Sequence, residues 1–432
     1  MIKKIKQYIR DFHLKENFEI KSRELKIPVN TQKIITLIGV RRCGKTSILY
    51  EVINELTNEI PREKVLFFNF EDERLNFNID SLDLILQAYL ELYPDINIKN
   101  SYLFFDEIQN VDGWETFIRR VYDNVCKNIF ITGSNSKLLS KEIATNLRGR
   151  TIVYEVYPLS FKEYLFFKEV EIDLYSTKSL AFIKYNLEKF LLEGGFPEVV
   201  LLDDKFSQKI LQDYFNVLIY RDLVERFKIS NSIALKFFLK RVLASSTKQI
   251  SINKIYNDLK SSGIKIGKNS LYEFLSYIQD VYFSLILNKY DKKVSSQSDK
   301  KIYSIDVGFN NAVSYKFSDD IGKSMENAVF LELKRLDLEM FYYQDRNSEC
   351  DFIINDRGKI KKAIQVSYDM ENEDTRKREL KGLINACKKF GLTQGFIISY
   401  SEETTYVLDG IKINIIPLHD FLLLSKDFLE NS

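Results

Sequence analysis

The stretch Gly39-Val40-Arg41-Arg42-Cys43-Gly44-Lys45-Thr46 constrains this chain more than any other. It follows the short apolar run KIITLIG and precedes TSILYEVINEL, which has helical spacing. A G-x-x-x-x-G-K-[ST] pattern between a buried strand and a helix wraps its backbone N–H groups around a phosphate. The glycines permit that curl without Cβ clashes, and the helix directs its positive end at the same anion. Positions Gly39 to Ser47 are therefore expected to cradle a nucleotide. Lys45 would bridge the β- and γ-phosphates, and the Thr46 hydroxyl would ligate Mg²⁺. Arg41 and Arg42 lie within the loop, where they can meet phosphate or a partner.

A second apolar run, Tyr102-Leu103-Phe104-Phe105, ends in Asp106-Glu107, about 60 residues beyond the loop. Such a run delivers its acids to the carboxyl edge of a sheet, where ligands of α/β proteins bind. Asp106 is expected to hold Mg²⁺, directly or through water, and Glu107 to polarise the attacking water as general base. The doubled acid favours ATP hydrolysis. Thr132-Gly133-Ser134-Asn135 closes a further strand, NIFITG. Asn135, with Thr132 next, is the expected γ-phosphate sensor. Arg148 or Arg150, in Arg148-Gly149-Arg150, is expected to act as a finger toward a neighbouring subunit's phosphate, with Arg150 preferred.

Strand-like runs KIITLIG, VLFFNF, YLFFDE, NIFITG and TIVYEVY alternate with helical stretches and do not alternate polar with apolar. That pattern implies a parallel sheet covered on both faces. After Pro158 the chain reads as helices, broken at Gly194-Gly195-Phe196-Pro197. SINKIYNDLK, the turn SGIKIG, KNSLYEFLSYIQDVYF and two strand-like runs then follow the winged-helix plan. The last hundred residues mix helices and strands. The expected fold is thus α/β, with four parts. Residues 1–158 form a P-loop NTPase parallel sheet sandwiched by helices, and 159–225 a helical lid or linker. Residues 226–312 form a winged helix, and 313–432 a mixed α/β domain.

Composition narrows the function. Four cysteines lie far apart and only two histidines, His13 and His419, are present. The spacing argues against a zinc ribbon or a disulfide scaffold, the histidine count argues against a His-rich metal site or a Ser-His-Asp triad, and a reducing cytoplasm fits. No apolar run approaches the ~18–20 residues of a membrane helix, and the start MIKKIKQYIRDF lacks a signal peptide's apolar stretch. The formal charge of +2 is uneven: Arg226 to Lys301 holds 15 Lys/Arg against 5 Asp/Glu. That block points to a polyanionic partner, DNA first. Lys265, Lys268 and Asn269 sit at the start of the expected recognition helix, and Lys292 and Lys293 on the wing, where lysines add affinity without sequence choice.

GVRRCGKTSIL, FFNFEDERL, LFFDEIQNVDGWE, ITGSNSKLLS, LRGRTIVYEVYPLSFKEY, GGFPEV and YRDLVERF together resemble a prokaryotic family of AAA-superfamily ATPases. Its members pair an N-terminal ATPase with a C-terminal region long classed as a domain of unknown function. The resemblance implies ATP binding, a winged-helix element and a tail similar to restriction-endonuclease-like nucleases. Such nucleases carry a Glu on the first helix, an Asp on a hairpin strand and Glu-x-Lys on the next. Here Glu326 and Asp351 stand at the first two places, but Gln365 replaces the second acid and Ser367 the lysine. Gln offers a carbonyl but no charge, so the tail is expected to be a nuclease-like scaffold kept for binding, or else a structural α/β domain with no ligand.

Taken together, the sequence predicts a cytoplasmic Mg²⁺-dependent ATPase whose nucleotide state governs binding to DNA, with homo-oligomers allowed. The alternatives are a slow-turnover ATP-bound switch that reports to a protein partner and a metal-dependent nuclease.

Overall fold

Five short strands, β1 (Ile34–Ile38), β2 (Val65–Asn69), β3 (Tyr102–Asp106), β4 (Ile129–Gly133) and β5 (Thr151–Glu155), form a sheet in the order β2-β3-β4-β1-β5. Every pairing is parallel. The computed structural model describes all residues except 16, 76, 135–144, 292–299, 314–320, 347 and 431–432. The chain divides into two compact units, residues 1–157 with 280–282, and residues 158–279 with 283–432.

In the first unit β1, β3 and β4 are almost wholly buried, which explains their lack of polar alternation. Helix Lys45–Thr57 buries Ile48, Leu49, Val52, Ile53 and Leu56 at helical spacing. Phe104 and Phe130 stack across β3 and β4 with centroids 4.6 Å apart. Helix Ile2–His13 lays Ile5, Ile9 and Phe12 inward and packs against β2 and helix Asp83–Leu92. Because β4 lies between β1 and β3, the carboxyl ends of these three strands come side by side below the loop that follows β1.

The second unit is helical as far as Gln279, then mixed. The predicted break at Gly194-Gly195 is where two segments of chain meet a buried carboxylate. Asp306 accepts hydrogen bonds from the backbone N–H of Gly195 (2.7 Å) and of Gly308 (2.8 Å). A Cβ on Gly194 would lie 1.9 Å from Asp306 Oδ1, so only glycine fits there. Helices Ile252–Ser261 and Lys268–Asp280 are followed by the antiparallel pair β6 (Ser284–Asn288) and β7 (Lys300–Ser304). The second of these helices is expected to run to Phe283 but stops earlier, because Tyr282 takes a left-handed φ of 56°.

β8 (Glu339–Gln344), β9 (Glu349–Asp356), β10 (Lys359–Ser367), β11 (Gln394–Ser399), β12 (Thr404–Leu408) and β13 (Ile411–Pro417) make a mixed six-stranded sheet ordered β12-β13-β11-β10-β9-β8. β8, β9 and β10 are antiparallel neighbours, whereas β10, β11 and β13 run parallel. Helix Glu373–Phe390 covers one face around Leu383, Ala386 and Cys387. β12 and the final helix Leu418–Glu430 are not marked by the sequence pattern. β12 is largely exposed, so its apolar periodicity is weak.

Candidate nucleotide site

The loop after β1 turns through Gly39 (φ 154°), Arg42 (φ 64°) and Gly44 (φ 99°), the last of which caps helix Lys45–Thr57. A Cβ on Gly39 would stand 2.1 Å from the Val156 carbonyl oxygen, so glycine is required by space as well as by φ. Val40 and Cys43 are buried and Ser47 is half-buried. Burial pushes the Cys43 thiol above its ordinary value. Arg23, which sequence reasoning passes over, supports the loop from behind. Its guanidinium donates to the carbonyls of Cys43 (2.8 Å) and Tyr157 (3.0 Å). Arg41 forms an ion pair with Glu71, a residue of the FFNFEDERL stretch.

The acids arrive where the sheet order delivers them. Thr46 Oγ1 donates to Asp106 Oδ2 at 2.9 Å, and Thr132 Oγ1 donates to Asp106 Oδ1 at 2.5 Å. Thr132 also accepts from the Glu107 N–H at 2.9 Å. Its hydroxyl therefore braces both acids. Glu107, in a left-handed conformation (φ 53°), accepts from Gln109 Nε2 (2.5 Å) and from the Ser134 N–H (3.2 Å). Such a conformation is stored strain of the kind common at functional sites. Lys45 Nζ donates to the carbonyls of Gly39 and Val40, each at 3.0 Å, and lies 3.5 Å from Glu107 Oε1.

Electrostatics separates the two acids. Burial, reinforced by Glu107, pushes Asp106 up to about 6. Burial acts the same way on Glu107, but Lys45 and the Gln109 hydrogen bond outweigh it and hold Glu107 below the usual range. Burial would lower the Lys45 ammonium, yet Glu107, Cys43 and Asp106 together keep it raised. Thr46 and Asp106 thus offer adjacent hard oxygens of the kind that suit Mg²⁺, and the loop's glycine cradle suits a phosphate.

Other predicted residues do not join this cluster. Asn135, the preferred sensor, lies outside the described residues, as do Lys292 and Lys293. Arg150 sits beside the start of β1, where its carbonyl accepts from the Ile34 N–H, and its side chain forms a bidentate pair with Asp123. The loop lies at the other end of β1, roughly 16 Å away at ~3.3 Å per residue. Arg150 therefore does not serve its own subunit's loop. Lys265, Lys268 and Asn269 are exposed around the start of helix Lys268–Asp280, while Leu271, Phe274, Leu275 and Ile278 are buried.

In the second unit Glu326 and Asp351 do come together, but a lysine stands between them. Lys301 Nζ lies 3.2 Å from Glu326, 2.9 Å from Asp351 and 2.6 Å from Glu349. Burial, with Asp351 beside it, pushes Glu326 up to about 7. Gln365 does not turn its carbonyl toward these acids. That oxygen accepts from the Asp351 N–H at 3.2 Å, and the amide donates to Glu379. Sequence reasoning does not place Lys301 here, because it belongs to β7, far along the chain from the two positions that carry the nuclease-like pattern.

Residues 31–165 match the AAA domain family, residues 184–320 a domain of unknown function (DUF8612) and residues 321–421 a second one (DUF4143). An uncharacterized protein of Methanocaldococcus jannaschii is 41% identical over 391 residues, spanning 88% of this chain and 85% of its own length. An uncharacterized protein of Haemophilus influenzae is 28% identical over 388 residues, covering 89% of this chain and 93% of its own. Among solved structures, that of Cdc6p from Pyrobaculum aerophilum covers 65% of this chain and 86% of its own at 14% identity and a TM-score of 0.26, too loose an overlap to argue from.

Proposed function

This chain belongs to the family of that M. jannaschii protein, with an AAA domain at its head and two further domains behind, and from that premise we propose that it is a Mg²⁺-dependent ATP hydrolase whose nucleotide state governs binding to DNA. The observation that carries the reading is one network below the loop, in which Thr46, Asp106, Thr132, Glu107 and Lys45 are linked without interruption. Lys45 is the link between binding and chemistry. In moving from the carbonyls of Gly39 and Val40 to a triphosphate it weakens its hold on Glu107, and the carboxylate then gains proton affinity as it is needed to take a proton from water. Thr46 and Asp106 would hold Mg²⁺, which when bound screens charge on the β- and γ-oxygens. Gln109 keeps one buried oxygen, Oε1, without a hydrogen-bond partner, and its amide donates to Glu107, so that oxygen would be an acceptor for the attacking water.

Asp106 sets an acid limit. Its carboxylate is ionised only above about 6, so protonation below that value removes the charge that would hold the metal. Glu107 is held down and is already ionised in this range. We expect kcat/KM for ATP, which reports the free enzyme, to be level above pH 7 and to fall about tenfold per unit below pH 6. A profile flat to pH 5 would remove Asp106 from the role.

The DNA reading rests on the surplus of basic residues from Arg226 to Lys301, on exposed Lys265, Lys268 and Asn269, and on the order helix, helix, antiparallel pair over 252–304. We take 226–312 as a winged helix. The order helix, three antiparallel strands, helix, parallel strand supports the nuclease-like reading of 313–432. Side chains on helix Thr177–Glu193 favour a second reading as a switch for a protein partner: Phe182, Tyr185 and Leu192 stand 51%, 55% and 43% exposed along it. ATP turnover measured with and without duplex DNA at several salt concentrations tests the choice. Stimulation that fades steeply with salt is expected, and no DNA effect at low salt would favour the protein partner. Among the described residues no helix is long and apolar enough to cross a membrane. The cysteine spacing keeps the cytoplasm as the proposed compartment.

A further inference from the structure

The second unit contains a cleft of about 980 Å³ whose floor carries Glu326, Asp351, Gln365 and Glu379, at the upper end of the roughly 300–1,000 Å³ usual for ligand pockets. Its chemistry is settled by Lys301, which enters from β7 with a side chain only 3% exposed. An ammonium has three N–H donors and no acceptor, and here three carboxylates, Glu326, Glu349 and Asp351, surround it. The Tyr342 ring lies 5.5 Å away, and Tyr303 donates to Glu326 at 2.7 Å. The space between the acids is thus filled by a positive charge that belongs to the chain. Among the described residues no three acids, histidines or cysteines are arranged to hold a metal ion.

Two further observations point to an anionic occupant. Ser367 lines the cleft and is 4% exposed, yet its hydroxyl has no hydrogen-bond partner. It lies two residues beyond Gln365 on β10, on the same face of the strand. A buried hydroxyl without a partner is costly unless something else completes it. Around the mouth, Lys248, Arg346, Lys377, Arg378 and Lys381 are exposed against only two exposed acids, Asp345 and Asp369. The cleft therefore presents cations at its rim, a donor within, and a floor whose acids an internal lysine offsets.

We propose that this cleft seats a phosphodiester strand without a metal ion, with Lys301 holding the place that a divalent cation takes between such acids. The rim cations bind the phosphates, and Ser367 donates to a phosphate oxygen. Lys301 keeps the floor from repelling the strand. The same substitution makes the site a binder, since no metal-activated water is generated there. This inference deepens the DNA reading above and rests on it.

The test uses the full chain and labelled single-stranded and duplex DNA, with EDTA or Mg²⁺. Wild-type protein is expected to bind equally in both. The pair Arg346→Glu with Lys381→Glu should weaken binding at least tenfold and lower the log–log salt slope by about 2, one for each phosphate that the variant no longer neutralises. The pair Lys265→Glu with Lys268→Glu reports on the winged helix separately. Binding that falls with the second pair but not the first leaves the DNA reading standing and overturns the cleft. No binding by wild type at low salt overturns both. Strand cleavage, or binding that needs Mg²⁺ and disappears in Asp351→Asn, overturns the metal-free assignment. Manganese paramagnetic resonance without nucleotide examines Lys301 itself. Lys301→Gln should gain a Mn²⁺ site that a further Asp351→Asn removes. A wild-type protein that already shows an Asp351-dependent Mn²⁺ site overturns the proposal. Should Lys301→Gln fail to fold, the rim pair still decides the matter.

Discussion

Glu107→Gln is expected to slow ATP turnover about 10²–10⁴-fold, the usual worth of a general base, while leaving ATP bound. The amide keeps the size of the side chain and can still accept from the Ser134 N–H, which now meets Glu107 Oε2 at 3.2 Å. It cannot take a proton from water at neutral pH. Removing the negative charge also releases Lys45 from its contact at 3.5 Å, so its ammonium is more available to phosphate. ATP should therefore be held at least as tightly as by the wild type. Single-turnover hydrolysis gives the rate, and calorimetry with magnesium and ATP gives the affinity. A variant that hydrolyses normally would shift the base to another group, with Gln109 and its unpartnered Oε1 the next to examine as the residue that orients water.

Lys45→Ala should act on the other half of the cycle. Lys45 is 4% exposed and is the cation that offsets Glu107 and Asp106 in the interior of the site. Without it a triphosphate would meet the buried Glu107 carboxylate without the ammonium that now lies beside it. Truncating one partner of a buried, hydrogen-bonded charge pair costs about 2–5 kcal/mol, which corresponds to a loss of roughly 30- to 5,000-fold in ATP affinity. Turnover should be lost with it. Calorimetry measures the affinity directly, and an unchanged circular dichroism spectrum would show that the chain still folds. If affinity survives, the N–H groups of the loop suffice to hold the phosphates, and the role of Lys45 is confined to hydrolysis.

The two halves of the nucleotide site are legible in the sequence to different depths. The loop can be read because its chemistry is local: eight consecutive residues supply the turn, the N–H groups and the lysine. Asp106 and Glu107 can be read because an apolar strand must end at an edge of the sheet. The bracing by Thr132 cannot be read in the same way. It depends on β4 lying between β1 and β3, and strand order is a property of the folded sheet. The support from Arg23 is hidden for a similar reason, since nothing in its neighbours marks a guanidinium that will meet two carbonyls, one of them at Tyr157. Arg150, by contrast, looks suitable by type and by its place before β5. Its pairing with Asp123 at the opposite end of β1 keeps it off its own loop, and the expected reach is toward a neighbouring subunit.

The C-terminal cleft shows the same division. Glu326 and Asp351 stand out by their order along the chain, and the missing acid and lysine are visible as Gln365 and Ser367. The structure supplies Lys301 from a hairpin strand 50 residues before Asp351, because β7 runs past the acids and a buried ammonium needs carboxylates to offset its charge. The glycines of GGFP likewise stand out in the sequence, but their purpose does not, as Asp306 lies more than a hundred residues away.

The amino-acid order alone determined the phosphate loop, the acid-tipped strand and the alternation that makes a parallel sheet, since each is written in contiguous residues whose backbone and periodicity carry the information. Tertiary structure alone decided which hydroxyl braces the acids, which arginine supports the loop and which lysine enters the distant acidic cluster. Those contacts join residues far apart in the chain, and only packing brings their charges and donors within hydrogen-bond reach.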